Sequence, residues 1–292
     1  MRILVASDLS SASDEAVRQG LSLATASGSA LALCHVLHRS SVNALFPQGY
    51  ARDLEMALEL QPRVAELLRE QAERVQQGPT ISFEVFVEQG SDYGQIARRA
   101  EKWRADLLVV GSHGRTGVER LLLGSVAEHL VRHAPCTVLV AREDHEGAVL
   151  VATDLSDPSL VGIEVAAREA ARRGRKLVVV HVLDDAALES DAAMAMLGTI
   201  PVAAPMDLLA SRRTLARDII QNALMRFDAP RSQIEIPDGD PVTEILRVAE
   251  TLPAELVVIG TKGESGLSHV LGSTAADVVQ NAPCSVLAVR VV

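Results

Sequence analysis

Two glycine-rich stretches in this chain have the spacing to hold a row of phosphates. The first reads Gly111-Ser112-His113-Gly114 and, after nine residues from Arg115 to Leu123, Gly124-Ser125-Val126. The second reads Gly260-Thr261-Lys262-Gly263 and, after eight residues from Glu264 to Leu271, Gly272-Ser273-Thr274. Each follows a short apolar run, Leu107–Val110 or Leu256–Ile259, that reads as a strand. Glycines let the backbone come close to a polyphosphate. A helix opening at the Gly-Ser step would turn unpaired N–H groups and its positive dipole end toward an anion, and the serine hydroxyl adds a donor. One such loop could be a plain turn after a strand; two copies of a long pattern favour a binding role. It is not a Walker loop, since no GxxxxGK[ST] string occurs. Nor is it a dinucleotide loop after the first strand, where Asp8-Leu9-Ser10-Ser11 stands instead.

Other reactive residues form no recognisable constellation. His129 and His133 lie four apart on an expected helix, but no third metal ligand and no HExxH accompany them. Cys34, Cys136 and Cys284 form no CxxC pair and read as small core residues. Arg168, Arg172, Arg173, Arg175 and Lys176 read as a solvated helix end, and His35 and His181 as structural groups near the backbone. No nucleophile, base and orienter can be assembled.

The elements that must position the glycine loops are duplicated. The segment at 3–9 (ILVASDL) returns at 149–155 (VLVATDL), and His35-Val36-Leu37 returns as His181-Val182-Leu183. Ala134-Pro135-Cys136 returns as Ala282-Pro283-Cys284. The polar stretch Arg142–Gly147 separates two domains, 1–143 and 147–292. In the first, Ile3–Ser7, Leu31–Val36, the alternating Ile81, Phe83, Val85 and Val87, Leu107–Val110 and Thr137–Ala141 read as strands. Helices are expected from Ser13 to Ser27, with Val17, Gly20, Leu21 and Ala24 on one face, and over 92–104. The second copy has Leu177–Val182 and Ser285–Val289 as strands, a helix after an Asp157 cap ending at Gly174, and another opening at Asp240-Pro241. Apolar strands alternating with helices predict α/β sandwiches, each a five-stranded parallel sheet covered on both faces. The divergent segments 38–60 and 184–210 read as loops leading into long helices, or as lids or partner-contact segments.

Composition narrows the function. Of 292 residues 48% are apolar and 23% charged, which is globular, and the formal charge of −10 argues against nucleic acid as a partner. Four Phe, two Tyr and one Trp are too few for base-stacking platforms. No apolar run approaches the ~18 residues of a membrane helix, and Asp8 comes too early for a signal-peptide core. A cytoplasmic protein without a membrane partner is expected.

The chain resembles the universal stress protein family. Its nucleotide-binding members carry G-x2-G-x9-G-(S/T), which Gly111, Gly114, Gly124 and Ser125 fit without a gap. The Asp at the first strand end, the His-Val at the second and the Pro-Cys-x-Val-Leu finish extend the likeness over nearly the whole chain. The resemblance implies an adenine nucleotide as ligand, ATP with or without magnesium. Ser7, Asp8 and Val36 would line the adenosine part, and Gly111, Gly114, Gly124, Ser125 and Val126 the ribose and phosphates. The matching positions are Thr153, Asp154, Val182, Gly260, Gly263, Gly272, Ser273 and Thr274. Asp8 and Asp154 could instead cap the next turn, and Val36 and Val182 could be plain core. The second copy is one residue short between Gly263 and Gly272 and has Glu264 where the first has Arg115, so the first copy is the expected ATP site. The resemblance also implies domain pairing within the chain through Val138–Val140 and Val286–Val289, with a homodimer as a further option. A regulator or sensor is the leading expectation, with at most slow ATP hydrolysis. The alternatives are a weak hydrolase, or a nucleotide-free interaction protein that takes another small ligand or a metal.

Overall fold

The computed structural model describes residues 1–38, 49–114, 123–143, 145–184, 205–261 and 271–290. It divides into two compact units after Glu143. The first contains β1 (Arg2–Ala6), β2 (Ala30–His38), β3 (Glu84–Gly90), β4 (Leu107–Gly111) and β5 (Thr137–Ala141). Its helices are α1 (Asp14–Ser27), α2 (Gly49–Val75), α3 (Asp92–Trp103) and α4 (Ser125–His133). The strands are all parallel, in the order β3-β2-β1-β4-β5. Ile3, Leu4 and Val5 of the central strand, Leu108 and Val109 of β4 and Val138–Val140 of β5 are buried. Such near-continuous apolar strands are what helices on both faces require.

The chain runs outward from β1 to β2 and β3, then crosses back to β4 and β5. The order therefore reverses between β1 and β4, and the crevice beyond their carboxyl ends is where an open α/β sheet holds ligands. Register fixes that crevice: Ile3 faces Leu31 on one side and Leu107 on the other. Ser7, just beyond β1, and Gly111, which ends β4, so flank the same opening.

The second unit repeats the plan. Its strands are β6 (Ala148–Ala152), β7 (Leu177–Val180), β8 (Gln233–Glu235), β9 (Ala254–Gly260) and β10 (Ser285–Val289). They are parallel in the order β8-β7-β6-β9-β10. Its helices are α5 (Asp157–Arg173), α6 (Pro205–Arg226), α7 (Pro241–Thr251) and α8 (Ser273–Asn281). The expected α/β class, with mostly parallel sheets and helices, is what the structure has.

Helix ends follow local chemistry. Helices α1 and α5 stop at Gly28 (φ 60°) and Gly174 (φ 66°), left-handed positions that favour glycine. Asp240 caps α7, its carboxylate accepting from the Thr243 amide at 2.8 Å. Asp157 is the first residue of α5 rather than its cap; extended Ser156 takes the cap position. Strand β3 starts at Glu84, later than the alternation from Ile81 predicts, because its ladder with β2 begins at Ala32 opposite Glu84. Within the divergent segments, 49–60 lies in α2 and 205–210 in α6, while 39–48 and 185–204 lie outside the described residues.

The basic cluster after α5 is more than a solvated helix end. Arg173 Nη1 and Arg175 Nε converge on the buried carboxylate of Glu255, at 3.0 and 2.7 Å. Arg172 and Arg173 also grip Glu169; burial pushes that carboxyl's pKa up, but the two guanidinium groups outweigh it and hold it below the usual value. Arg168, paired with Glu164, and Lys176 match the exposed reading.

All three cysteines are buried, and burial, followed by the Glu88 charge, pushes the Cys34 thiol up to about 12. The thiolate is the reactive form. Native protein is therefore expected to resist iodoacetamide at pH 8, with all three thiols labelled only in denaturant. Rapid labelling of the folded chain, followed by mass spectrometry, would contradict this packing.

Candidate functional site

The turn after β1 is held by its own side chains. The Ser7 amide extends the ladder to the Cys34 carbonyl at 2.9 Å. Its hydroxyl accepts from the Leu9 amide at 3.0 Å, closing a turn in which Leu9 has φ 65°. A leucine in the left-handed region is uncommon and needs support. Asp8 Oδ1 accepts from the Ser10 amide at 3.0 Å and from the Ser10 hydroxyl. The turn-capping role therefore accounts for one carboxylate oxygen. The other, Oδ2, lies 3.2 Å from where a Cβ on Gly114 would stand. Asp8 and the glycine loop thus meet across the crevice, although 106 positions apart in sequence.

On the loop side, Gly111 closes β4, and a Cβ there would stand 3.2 Å from the Ala12 carbonyl oxygen. Ser112 is buried, its amide donating to Ala141 at 3.1 Å. The Gly124 amide returns to the Ser112 carbonyl at 2.7 Å, so the two ends of the loop are clasped. Gly124 is extended (φ −64°, ψ 143°) and caps α4 without a side-chain hydrogen bond. The first intrahelical bond runs from the Glu128 amide to Gly124. The amides of Ser125, Val126 and Ala127 precede it and have no acceptor within the helix. Ser125 is exposed and Val126 half-buried. Val36 is a buried β2 residue opposite Glu88.

The second unit carries the same framework. The Thr153 hydroxyl accepts from the Leu155 amide at 3.0 Å, Leu155 has φ 67°, and Asp154 Oδ1 accepts from the Ser156 amide at 3.0 Å. Gly260 ends β9, and the Gly272 amide donates to Thr261 at 3.2 Å. Gly272 caps α8, with Ser273 exposed and Thr274 half-buried. Val182 is half-buried just beyond β7. Lys262, Gly263 and Glu264 lie outside the described residues, as does Arg115.

Several participants were not singled out from sequence. Ser10 and Ser13 recur as Ser156 and Ser159, a repeat that could have flagged them. Gln71, from α2, bonds the Ser7 hydroxyl at 2.6 Å and has no such signal. His113 shares its Nδ1 with the Ser112 hydroxyl at 2.8 Å, while its buried Nε2 meets no partner among the described residues. His129 instead serves its own helix, donating from Nδ1 to the Ser125 carbonyl at 2.7 Å and stacking on Tyr93.

Family comparison matches the universal stress protein family over residues 1–142 and again over 147–290. The chain belongs to the universal stress protein family. It is a tandem member, with two universal stress protein domains in one chain. A universal stress protein of Mycolicibacterium smegmatis is 30% identical over 99% of this chain and 96% of its own length. Universal stress protein Rv2005c of Mycobacterium tuberculosis is 32% identical over 64% of this chain and 62% of its own. Two solved structures share the fold. A universal stress protein from Archaeoglobus fulgidus has TM-score 0.61 and 20% identity, covering 99% of this chain and 96% of that one. A functionally unknown protein, PA1789 from Pseudomonas aeruginosa, has TM-score 0.65 and 20% identity, covering 99% and 92%.

In both universal stress protein domains a histidine Nδ1 meets the carbonyl that opens the turn, His35 at Ser7 (2.8 Å) and His181 at Thr153. His181 donates from Nδ1 to the Thr153 carbonyl at 2.9 Å; burial lowers its pKa, partly opposed by that carbonyl and by Asp154. Burial, then the Arg142 charge, lowers that of His113 as well. A base with a depressed folded pKa contributes stability that is fully present above its unfolded value, about 6.5, and is lost as pH falls through the folded value. The urea midpoint is expected to drop between pH 7.5 and pH 5.5, and to drop less in His181→Gln. Equal drops in both proteins would remove His181 from this account.

Proposed function

We propose that this chain is a cytoplasmic stress-response protein that binds adenine nucleotide, ATP, in its first domain and acts as a sensor or regulator. The observation that carries the reading is the approach of Asp8 Oδ2 to Gly114, at the strand-order reversal, beside a helix start capped by a side-chain-less residue. A carboxylate suits ribose hydroxyls or adenine N–H groups, and first-turn amides suit phosphate oxygens. The residues fit the ligand: any side chain at Gly114 would press on Asp8, and the amides of Ser125 and Val126 have no acceptor within α4. Ser7 and Asp8 would hold the nucleoside, while Gly111, Gly114, Gly124, Ser125 and Val126 would hold ribose and phosphates, with Val36 beneath.

In this reading the protein does no chemistry on the nucleotide. Binding selects the arrangement in which loop and turn are clamped together, and the surface so presented is the signal. The strongly negative triphosphate tail needs no large basic field, because oriented amides supply the local positive charge. Magnesium would arrive on the phosphate oxygens, since Asp8 holds the nucleoside. Among the described residues no group of three His, Cys, Asp or Glu side chains is placed to hold a metal by itself. The second domain shares the turn and cap, so Thr153, Asp154, Val182, Gly260, Gly263, Gly272, Ser273 and Thr274 form a second, weaker site.

Mass spectrometry of small molecules released by heating the purified protein tests the reading, backed by calorimetry with ATP. Release of adenine nucleotide, or ATP binding near one equivalent, is expected. An empty protein that also gives no heat with ATP would contradict it.

A further inference from the structure

The two β1-type turns differ in one buried polar group. Helices α2 and α6 bury the same pattern of positions, Val64, Leu68, Gln71 and Ala72 in the first and Ala216, Ile220, Ala223 and Leu224 in the second. Glutamine in the first thus stands where the second has alanine. Gln71 is 2% exposed, and both ends of its amide are used. Its Oε1 accepts from the Ser7 hydroxyl at 2.6 Å. Its Nε2 donates to Asp14 Oδ1 at 2.7 Å and to the Ser13 hydroxyl at 3.1 Å, with the Ser10 carbonyl at 3.3 Å. In the second unit the Thr153 hydroxyl meets Ser159 at 2.8 Å and the Leu155 amide at 3.0 Å, and no side chain of α6 joins them among the described residues.

We infer that Gln71 is a positioning residue, which locks the Ser7–Ser10 turn in the conformation that presents Asp8 to the glycine loop. The Ser7 hydroxyl must accept from Leu9 to support a left-handed leucine. Donating its own proton to Gln71 orients its lone pairs for that role and strengthens the bond through cooperativity. The amide end of Gln71 fixes Ser13 and Asp14 at the start of α1, so both arms of the turn are tied to α2. A ligand that needs Asp8 in place then spends less binding energy ordering the turn. The second unit has the turn without the lock, a difference between the sites that is independent of the loop sequences.

The inference rests on the nucleotide reading for its ligand but not for its mechanism, and the test separates the two. Amide hydrogen exchange is measured on the ligand-free full chain, and calorimetry with adenosine and with ATP, for the native protein, Gln71→Ala and the volume-preserving Gln71→Met. Exchange at the Leu9 and Ser10 amides is expected to rise about tenfold in both variants, as loss of one buried hydrogen-bond partner predicts. Adenosine and ATP should weaken by the same factor, about tenfold, because the lost order lies in the nucleoside half. Unchanged exchange at Leu9 and Ser10 would overturn the inference, and so would raised exchange with unchanged affinities. A loss confined to ATP would overturn it too, since it would place the defect at the phosphates. If the native protein binds neither compound, the nucleotide reading fails alone, and the exchange measurement still decides whether Gln71 locks the turn.

Discussion

Replacing Gly124 by valine is expected to weaken ATP binding by about 100-fold, roughly 2.7 kcal/mol. The backbone at Gly124 is extended, a conformation open to any residue, so the substitution brings no backbone strain. The harm is steric and local. A Cβ at 124 would sit 3.4 Å from the Ser112 carbonyl oxygen, 3.7 Å from His113 Cα and 3.9 Å from the Gly114 amide nitrogen. Alanine fits those distances; the two further carbons of valine reach past them, and overpacking of this kind costs about 1–3 kcal/mol. They would push Ser112–Gly114 away from the helix start, separating the loop from the amides of Ser125 and Val126. Gly124→Ala should therefore retain most affinity. At Gly272 a Cβ meets nothing within 4 Å among the described residues, so Gly272→Val should change total ATP binding by no more than about threefold. Titration calorimetry of the three variants checks the order, and a stronger loss in Gly272→Val than in Gly124→Val would reverse the ranking of the domains.

Removing the carboxylate of Glu255 is expected to produce the largest loss of stability. Glu255 is 5% exposed and accepts from Arg173, Arg175 and, at 3.4 Å, the Gly147 amide. Truncating one partner of a buried ion pair leaves uncompensated charge and costs about 3–5 kcal/mol. Arg173 keeps Glu169 at 3.2 Å, and Arg175 is partly exposed, which places the expected cost at the lower end of that range, about 3 kcal/mol. The second unit should melt roughly 8 °C lower in Glu255→Ala, and Glu255→Gln, which keeps an acceptor oxygen, should lose less. Scanning calorimetry reads both. A shift under about 2 °C in Glu255→Ala would show that the cluster is solvated after all.

The glycine loops, the duplication and the parallel sheets were legible because each is written locally. Gly28 and Gly174 end helices by backbone conformation, Asp240 caps by reaching three residues ahead, and buried parallel strands must be apolar throughout. The turn after β1 was half legible. Asp8 is visible in the repeat, but the left-handed φ of Leu9 and Leu155 is not, because leucine has no preference for that region. Gln71 and Glu255 were illegible for a different reason. Each acts across 60 or more residues, and a polar side chain on a helix or strand reads as surface until its partners are placed. The late start of β3 was hidden likewise: alternation marks a face, whereas the ladder exists only where β2 supplies a neighbour.

The central claim is that the crevice between Asp8 and the start of α4 holds an adenine nucleotide. A crystal structure of the full chain grown with millimolar ATP tests it most directly. The account predicts adenosine against Asp8 and Val36, with phosphate oxygens on the amides of Ser125 and Val126. An open but empty crevice in that crystal, or ATP bound elsewhere on the first domain, would contradict it.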